Sequence, residues 1–500
     1  MSRINSNISS LIGQRVLAQQ QAGLTKTLER LSTGYRINRG GDDPAGLIAS
    51  ERLRSEKAAI EAAIGNAERA DQIVNVAEGG LQEVSSLLLE LQGLVSEVAS
   101  DAGMSLDEKT ANQVQIDSIL QTIDRIAATT SFAGTKLLNG NYDFDVTGVS
   151  AVVSGYEIRG AKFAAGGTLA VNAVVTTSAQ HGTLFVSAGG GTALDLNAAS
   201  ASFTFEVRGS EGVKQFSYSS GTTLATIAAG INTFADVTGV SAVASGNYLE
   251  LKSTGFGSDE FVSFKVVDNT LAAGGAVYGA TALGEDTIDA TDVTLFSAAT
   301  SPVKDSGQDI VAAVNGIKAQ TNGKTISVSN EQLDMEIVLS DTQSQTAGSK
   351  NILTINGGGA RFNLGPEANL NNQVLLGIKN VTTTSLGSTS TAFLNTLASG
   401  GDQNAIDGDI TTAQQAIDKA IDQIAGLRGR LGAFQSNVIG GTIRSLGVTL
   451  ENTTAAESAI RDTDFAEATA ELARNQILVQ AASSVLAISN AQSQNVLLLL

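Results

Sequence analysis

The stretch Glu471-Leu-Ala-Arg-Asn-Gln-Ile-Leu-Val-Gln-Ala-Ala-Ser-Ser-Val-Leu-Ala-Ile-Ser-Asn490 decides how this chain folds. Leu472, Val479 and Leu486 recur every seven residues, and Ile477, Leu478, Val485 and Ile488 widen the same apolar face, which marks a helix with a coiled-coil seam. The alternate seam positions, taken at Gln476, Ser483 and Asn490, are polar, and the run closes on Val496-Leu-Leu-Leu-Leu500 with no capping residue. A half-polar seam buries too little to order itself, so this end is expected to be completed by other chains.

The opposite end carries a matching pattern. Ile4, Leu11 and Ala18 fall seven apart, then Leu17, Leu24 and Leu31 do so one position earlier, joined by Leu28. This helix should stop at Ser32-Thr-Gly34, before a polar, Gly-rich linker from Arg36 to Asp43. Residues 1–57 hold nine Lys and Arg against five Asp and Glu, a net +4, whereas residues 451–500 hold two against six, a net −4. The two ends are therefore complementary.

Between them, Asp43-Pro44 reads as the N-cap and first residue of a long helix. Val84, Leu87, Leu91, Leu94 and Val98 supply its seam. About 57 residues at 1.5 Å each give about 85 Å, too long for one globular core, so the rod has to pair. Ser105-Leu-Asp-Glu108 fits a capping box opening a shorter helix with Ile116, Ile119, Ile123 and Ile126. Past Gly400-Gly401, Ile410, Ala413, Ile417, Ala420, Ile424, Leu427, Leu431, Phe434 and Val438 form the clearest seam in the chain, and a second capping box, Thr454-Ala-Ala-Glu457, is expected to open the terminal helix. From Asn141 to about Ser390 heptads give way to period-two alternation, as in Ser202-Phe-Thr-Phe-Glu-Val207, which predicts β structure. There Asp145-Val-Thr-Gly-Val-Ser-Ala-Val-Val-Ser-Gly155 returns almost unchanged at Asp236–Gly246, suggesting two related β units.

Composition excludes several functions. A formal net charge of −19 repels nucleic acid and anionic membranes. With no cysteine and one histidine, His181, neither a disulfide nor the His/Cys set of a zinc centre can form. Asp286, Asp289 and Asp292 step by three, unlike a calcium loop, and read as a solvated acidic turn; His181 reads as an exposed loop residue. There is no His-Glu-x-x-His, Gly-x-Ser-x-Gly or phosphate-loop motif, so neither catalysis nor a cofactor is expected. No apolar run of about 18 residues could span a membrane, and the first ten residues lack the apolar core of a cleavable signal.

Several stretches also resemble a known family. Leu28-Glu-Arg-Leu-Ser-Thr-Gly-Tyr-Arg-Ile-Asn38 with Asp42-Asp43-Pro-Ala-Gly46, then Leu431-Gly-Ala-Phe-Gln435, Ala455-Ala-Glu-Ser-Ala-Ile-Arg-Asp-Thr-Asp-Phe465 and Gln476-Ile-Leu-Val-Gln-Ala481, are similar to the terminal signatures of bacterial flagellin. Residues 202–267 are similar to a β module of flagellins and the filament cap protein, and Ala360–Gly365 with Gln373–Gly377 to a β hairpin beside the flagellin rod.

The resemblance implies an α+β fold: a discontinuous helical coiled-coil rod from both termini with a mainly β insert. Its expected parts are an inner domain of 1–43 plus 455–500, a rod of 44–144 plus 356–454, and a projecting insert at 145–355. It implies a structural subunit, exported unfolded through the flagellar channel, that self-assembles into the extracellular filament and meets an export chaperone and the cap and hook-junction proteins. A junction or cap-type protein is the alternative. Expected polymerisation residues are Leu24, Leu28, Leu31, Arg36, Ile37, Asn38, Asp42, Asp43, Leu472, Gln476, Ile477, Leu478, Val479, Leu486, Leu497 and Leu500. The family's patch for the animal Toll-like flagellin receptor, an arginine, a leucine and a glutamate, falls on Glu90, Leu94 and Gln115, so weak receptor recognition is expected.

Overall fold

A computed structural model describes residues 7–100, 103–164, 166–189, 192–193, 202–268, 274–281, 284–330, 332–388 and 391–498. The helices are α1 (Ile8–Thr33), α2 (Pro44–Val98), α3 (Leu106–Thr129), α4 (Leu224–Asn232), α5 (Ala235–Thr238), α6 (Asp341–Ser344), α7 (Ile410–Ala433), α8 (Gly440–Arg461) and α9 (Phe465–Leu498). Together with a β-rich middle they make an α+β chain. It divides into two compact units, one of Met1–Asn75, Phe362–Gln373 and Gly429–Leu500, the other of Val76–Arg361 and Val374–Arg428.

Local chemistry sets the helix ends. Gly34, at φ 76°, stops α1 and donates its N–H to the Arg30 carbonyl, a left-handed cap that other residues adopt at a cost. Asp43 Oδ1 accepts the Gly46 N–H at 2.9 Å, capping α2 ahead of its Pro44. The Ser105–Glu108 capping box opens α3. The box expected at Thr454–Glu457 does not form: α8 runs through it, with Thr453 buried, and the break falls at Asp462-Thr-Asp464. There Asp464 Oδ1 accepts the Ala466 and Glu467 N–H groups, which starts α9. The seam expected to run unbroken to Val438 instead passes into a π-helical turn at Phe434–Ile439, where Phe434 packs against Phe362 with ring centroids 5.9 Å apart.

In the second unit the α2 seam is Leu81, Val84, Leu88, Leu91, Val95 and Val98, each at most 2% exposed. This is one phase away from the expected Leu87 and Leu94, which are half-buried beside it. The run Leu87-Leu-Leu89 leaves both phases open, and packing selects one. Gln92 Nε2 donates to Asp418 Oδ1 at 2.7 Å, and Arg428 Nε to Glu78 Oε1 at 2.8 Å, so α2 and α7 lie antiparallel. The Gln113 amide, 1% exposed, is satisfied by the Leu397 carbonyl, the Asp117 carboxylate and the Ala405 N–H, which ties α3 to the chain before α7.

The β region has two cores. One lies between sheets of five and four strands contributed by residues 144–177 and 311–358, with Val171, Ile326, Ile337 and Ile352 fully buried. The other, around Phe203, Phe205, Phe264 and Phe296, is covered by α4. Asp309 bridges the two, its carboxylate accepting the Ser258 N–H and hydroxyl and the Gly323 N–H at 2.7–3.0 Å.

Three expectations for this region change. The near-repeat is not a structural repeat: Phe144–Thr147 is a strand, whereas Ala235–Thr238 is helical, because the second copy abuts α4. The copies agree at the shared glycines, Gly148 at φ 65° and Gly239 at φ 70°, and at their ends, where Val153-Ser154 and Ala244-Ser245 are both strand. His181 is not an exposed loop residue; it is half-buried, 3.7 Å from the Phe256 ring, with Nδ1–H donating to the Gly255 carbonyl. The aspartates lie on a strand, Gly284–Leu295, bulged where Asp289 Oδ1 accepts the Thr291 N–H. The expected hairpin is present as paired strands Ala360–Asn363 and Gln373–Leu376.

Candidate assembly surface

In the first unit both chain ends leave their helices at the same level. Tyr35 bridges Asp462, Arg36 N donates to the Arg461 carbonyl at 2.7 Å, and Thr463 N to the Gly34 carbonyl at 2.9 Å, a short antiparallel ladder. The Arg36 guanidinium donates to the Ile460 carbonyl at 2.6 Å, and that of Arg461 lies 4.5 Å over the Tyr35 ring. The linker from Arg36 to Asp43 is ordered by one carboxylate. Asp42 Oδ1 pairs with Lys26 Nζ at 2.7 Å, and Oδ2 accepts the Asn38 and Arg39 N–H groups. The Lys26 hydrogen bond first, then these backbone bonds, hold the Asp42 pKa down to about 2. Ile37 is buried, and a Cβ at Gly46 would fall 2.6 Å from its Cδ1 and 2.5 Å from Asp43 Oδ2, so a larger residue there has to displace one of these side chains. Arg36, Ile37, Asn38, Asp42 and Asp43 thus engage partners within the subunit.

Beyond this crossing, α1 and α9 pack antiparallel, Asn7 Nδ2 donating to the Ser489 carbonyl at one end and Asn475 meeting Thr27 further in. The α1 side follows the three-four rhythm through Ser10, Gly13, Leu17, Gln20, Leu24, Thr27 and Leu31. From α9 come Ala468, Leu472, Asn475, Val479, Ala482, Leu486 and Ser489. Leu472, Val479 and Leu486 are seam residues, as expected, but their alternates are Asn475, Ala482 and Ser489, three residues on, not Gln476, Ser483 and Asn490 four on. The small residues let the helices close: a Cβ on Gly13 would lie 3.2 Å from Leu486 Cδ1. The buried Asn475 Nδ2 donates to Thr27 Oγ1 at 3.0 Å, whose hydroxyl donates to the Gly23 carbonyl. Asn475 and Thr27 are site residues that the sequence reading passed over; the signal was the position three after each seam leucine.

This narrow seam leaves the outer faces uncovered. On α1, Ile8 (59%), Leu11 (61%), Ile12 and Leu28 are exposed; on α9, Ile477 (69%), Leu478, Val485 and Ile488 (66%) are. Gln476 and Ile477 line a shallow groove of about 450 Å³ with Gln480, Ala481 and Ser484, the kind of depression between helical turns that accepts a knob from another helix. So the expected residues divide: Leu24, Leu31, Leu472, Val479 and Leu486 face the partner helix, whereas Leu28, Gln476, Ile477 and Leu478 face outward. The Leu497 side chain and Leu500 lie outside the described residues. On the second unit Glu90 and Gln115 are exposed and Leu94 is half-buried. Among the described residues no cluster of three or more His, Cys, Asp or Glu could hold a metal, and no helix is long and apolar enough to cross a membrane.

Residues 4–143 match the bacterial flagellin N-terminal helical region, residues 414–500 the bacterial flagellin C-terminal helical region, and residues 202–255 the flagellin hook IN motif. The chain belongs to the bacterial flagellins. Along its whole length this flagellin is similar to flagellin A of Helicobacter pylori, at 28% identity over 100% of this chain and 99% of that one, and to the flagellin of Salmonella muenchen, at 27% identity over 99% of both. Among solved structures, the D2-D3 domains of the flagellar cap protein FliD from Serratia marcescens align with 39% of this chain and 99% of theirs at 19% identity, with a TM-score of 0.24, too loose a likeness to bear on the fold.

Proposed function

We infer that this flagellin is a structural, non-catalytic subunit of the flagellar filament that polymerises with copies of itself through α1 and α9. The carrying observation is a paired helix seam that closes within the subunit while Ile8, Leu11, Ile477, Val485 and Ile488 stay exposed, an apolar surface that a lone soluble chain has no use for. Residues 1–43 with 455–500 then form the inner layer of the filament, 44–144 with 356–454 the rod around it, and 145–355 the insert. Export proceeds unfolded, without a cleaved signal, with a chaperone covering the apolar ends and the cap and hook-junction proteins as further contacts. The relatives' names and the full-length match support a filament role over a junction or cap role. Deleting residues 481–500 should leave the second unit folded by circular dichroism and abolish sedimentable filaments; filaments from that truncation would refute this reading.

Glu90 stands where the family's receptor patch has an arginine, so weak activation of the Toll-like flagellin receptor is proposed. Losing one partner of an interfacial charge pair removes about 2 to 5 kcal/mol. Full potency in a receptor reporter assay would exclude it.

A further inference from the structure

Four asparagines in this chain precede a glycine: Asn139, Asn315, Asn322 and Asn356. Such a pair is open to attack from within, because a glycine has no Cβ to hinder the approach of its own nitrogen to the side-chain carbon of the asparagine before it. The reaction needs an unengaged glycine N–H and a carboxamide able to fold over it. At three of the four positions the fold withholds one or the other.

Asn315 is held at both side-chain atoms, Oδ1 accepting the Asn172 N–H at 2.9 Å and Nδ2 donating to the Ala170 carbonyl at 3.0 Å. After Asn322 it is the nucleophile that is engaged: the Gly323 N–H donates to Asp309 Oδ1 at 2.8 Å, and the carboxylate opposes loss of its proton. Asn356 lies in the strand Gly348–Gly358, between two neighbouring strands, with Nδ2 donating to Thr147 Oγ1 at 2.7 Å. Each hydrogen bond that must break before attack slows it roughly fivefold, the equivalent of about 1 kcal/mol.

Asn139 lacks these restraints. It is exposed, and among the described residues neither its Nδ2 nor the Gly140 N–H has a hydrogen-bond partner. The Asn141 N–H donates to Asn139 Oδ1 at 3.3 Å, an Asx turn that folds the carboxamide over the intervening Gly140 nitrogen. The same donor sits on the oxygen that gathers negative charge as the side-chain carbon becomes tetrahedral.

We propose that Asn139 is a site of spontaneous modification. The Gly140 nitrogen bonds to Asn139 Cγ and gives up its proton, the Cγ–Nδ2 bond breaks, and ammonia leaves behind a cyclic imide. Water then opens the ring at either carbonyl, giving aspartate or isoaspartate, with no oxidant or reductant. On both sides the chain is fastened: the Leu138 carbonyl accepts the Val381 N–H and the Gly140 carbonyl the Asp143 N–H, each at 3.0 Å, and Leu137 and Leu138 are fully buried. Isoaspartate inserts one main-chain carbon between these anchors, on the link from α3 to the strand Phe144–Thr147. Each conversion therefore slackens the join between α3 and the first β core and adds a negative charge to it.

The test incubates the purified full chain in mildly alkaline buffer, folded and in parallel in urea, and follows all four sites by peptide mass mapping with isoaspartate methyltransferase labelling. In the folded chain Asn139 should convert at least about fivefold faster than each of Asn315, Asn322 and Asn356, in line with one hydrogen bond to break. In urea the four rates should converge. Asn139 converting no faster than any one of the others in the folded chain overturns the proposal. An equal spread among the four in urea overturns it too, because the preference would then come from sequence and not from the fold.

Discussion

Two helix seams in this molecule share one rhythm and differ in what fills it. In the second unit, the α2 stripe from Leu81 to Val98 consists of leucine and valine and is dry. In the first unit, the α1–α9 seam sets Ser10, Gly13 and Thr27 with Ala468, Asn475 and Ala482, and its leucines are only half-buried. A three-four repeat therefore announces a coiled coil but not whether it is finished. The side chains at the alternate positions decide that, because they set how much apolar area is left for another chain to cover.

The contrast can be tested at descending scale. Leu88→Ala, at a fully buried position of the dry seam, should destabilise the second unit by about 2 to 5 kcal/mol in thermal unfolding; a loss near zero would put the two seams in one class. Asn475→Ala removes the seam hydrogen bond to Thr27 and should cost about 1 kcal/mol in the unfolding of the first unit. An unchanged midpoint would mean the polar seam is held by its small residues alone. The smallest effect concerns the crossing. Because the folded-state pKa of Asp42 lies at about 2, below its ordinary 3.8, its stabilising contribution is complete above pH 3.8 and fades as the pH falls toward 2. Asp42→Asn should remove that part of the acid sensitivity, and identical acid titrations for the two proteins would show that the Lys26 pair contributes nothing.

How much of this was readable beforehand follows from the range of the forces. Gly34, Pro44 after Asp43, and Ser105 with Glu108 act within a single turn, and each ended or began a helix where its chemistry required. The identity of Leu472, Val479 and Leu486 as seam residues was legible too. What could not be read was set at a distance. Thr454 met every local condition for a cap, yet Thr453 beside it is buried and the helix continues. The choice between Leu87 and Leu88 depends on the helices across the seam. The first three residues of two nearly identical eleven-residue stretches became strand in one place and helix in the other because α4 precedes only the second. At the proposed assembly surface, the outward exposure of Ile477 and Ile488 follows from the position of α1, which periodicity alone does not specify.

The ladder between Gly34–Arg36 and Arg461–Thr463 has a mechanical consequence. A single connecting strand swivels about any axis, but two strands joined by backbone hydrogen bonds form a ribbon, which flexes across its flat face and resists torsion. The paired terminal helices can thus tilt in one plane relative to the helices that follow them without rotating about their own axis. In the assembly proposed above, neighbouring subunits would then adjust pitch by small bends while the outward apolar stripe of each keeps its azimuth.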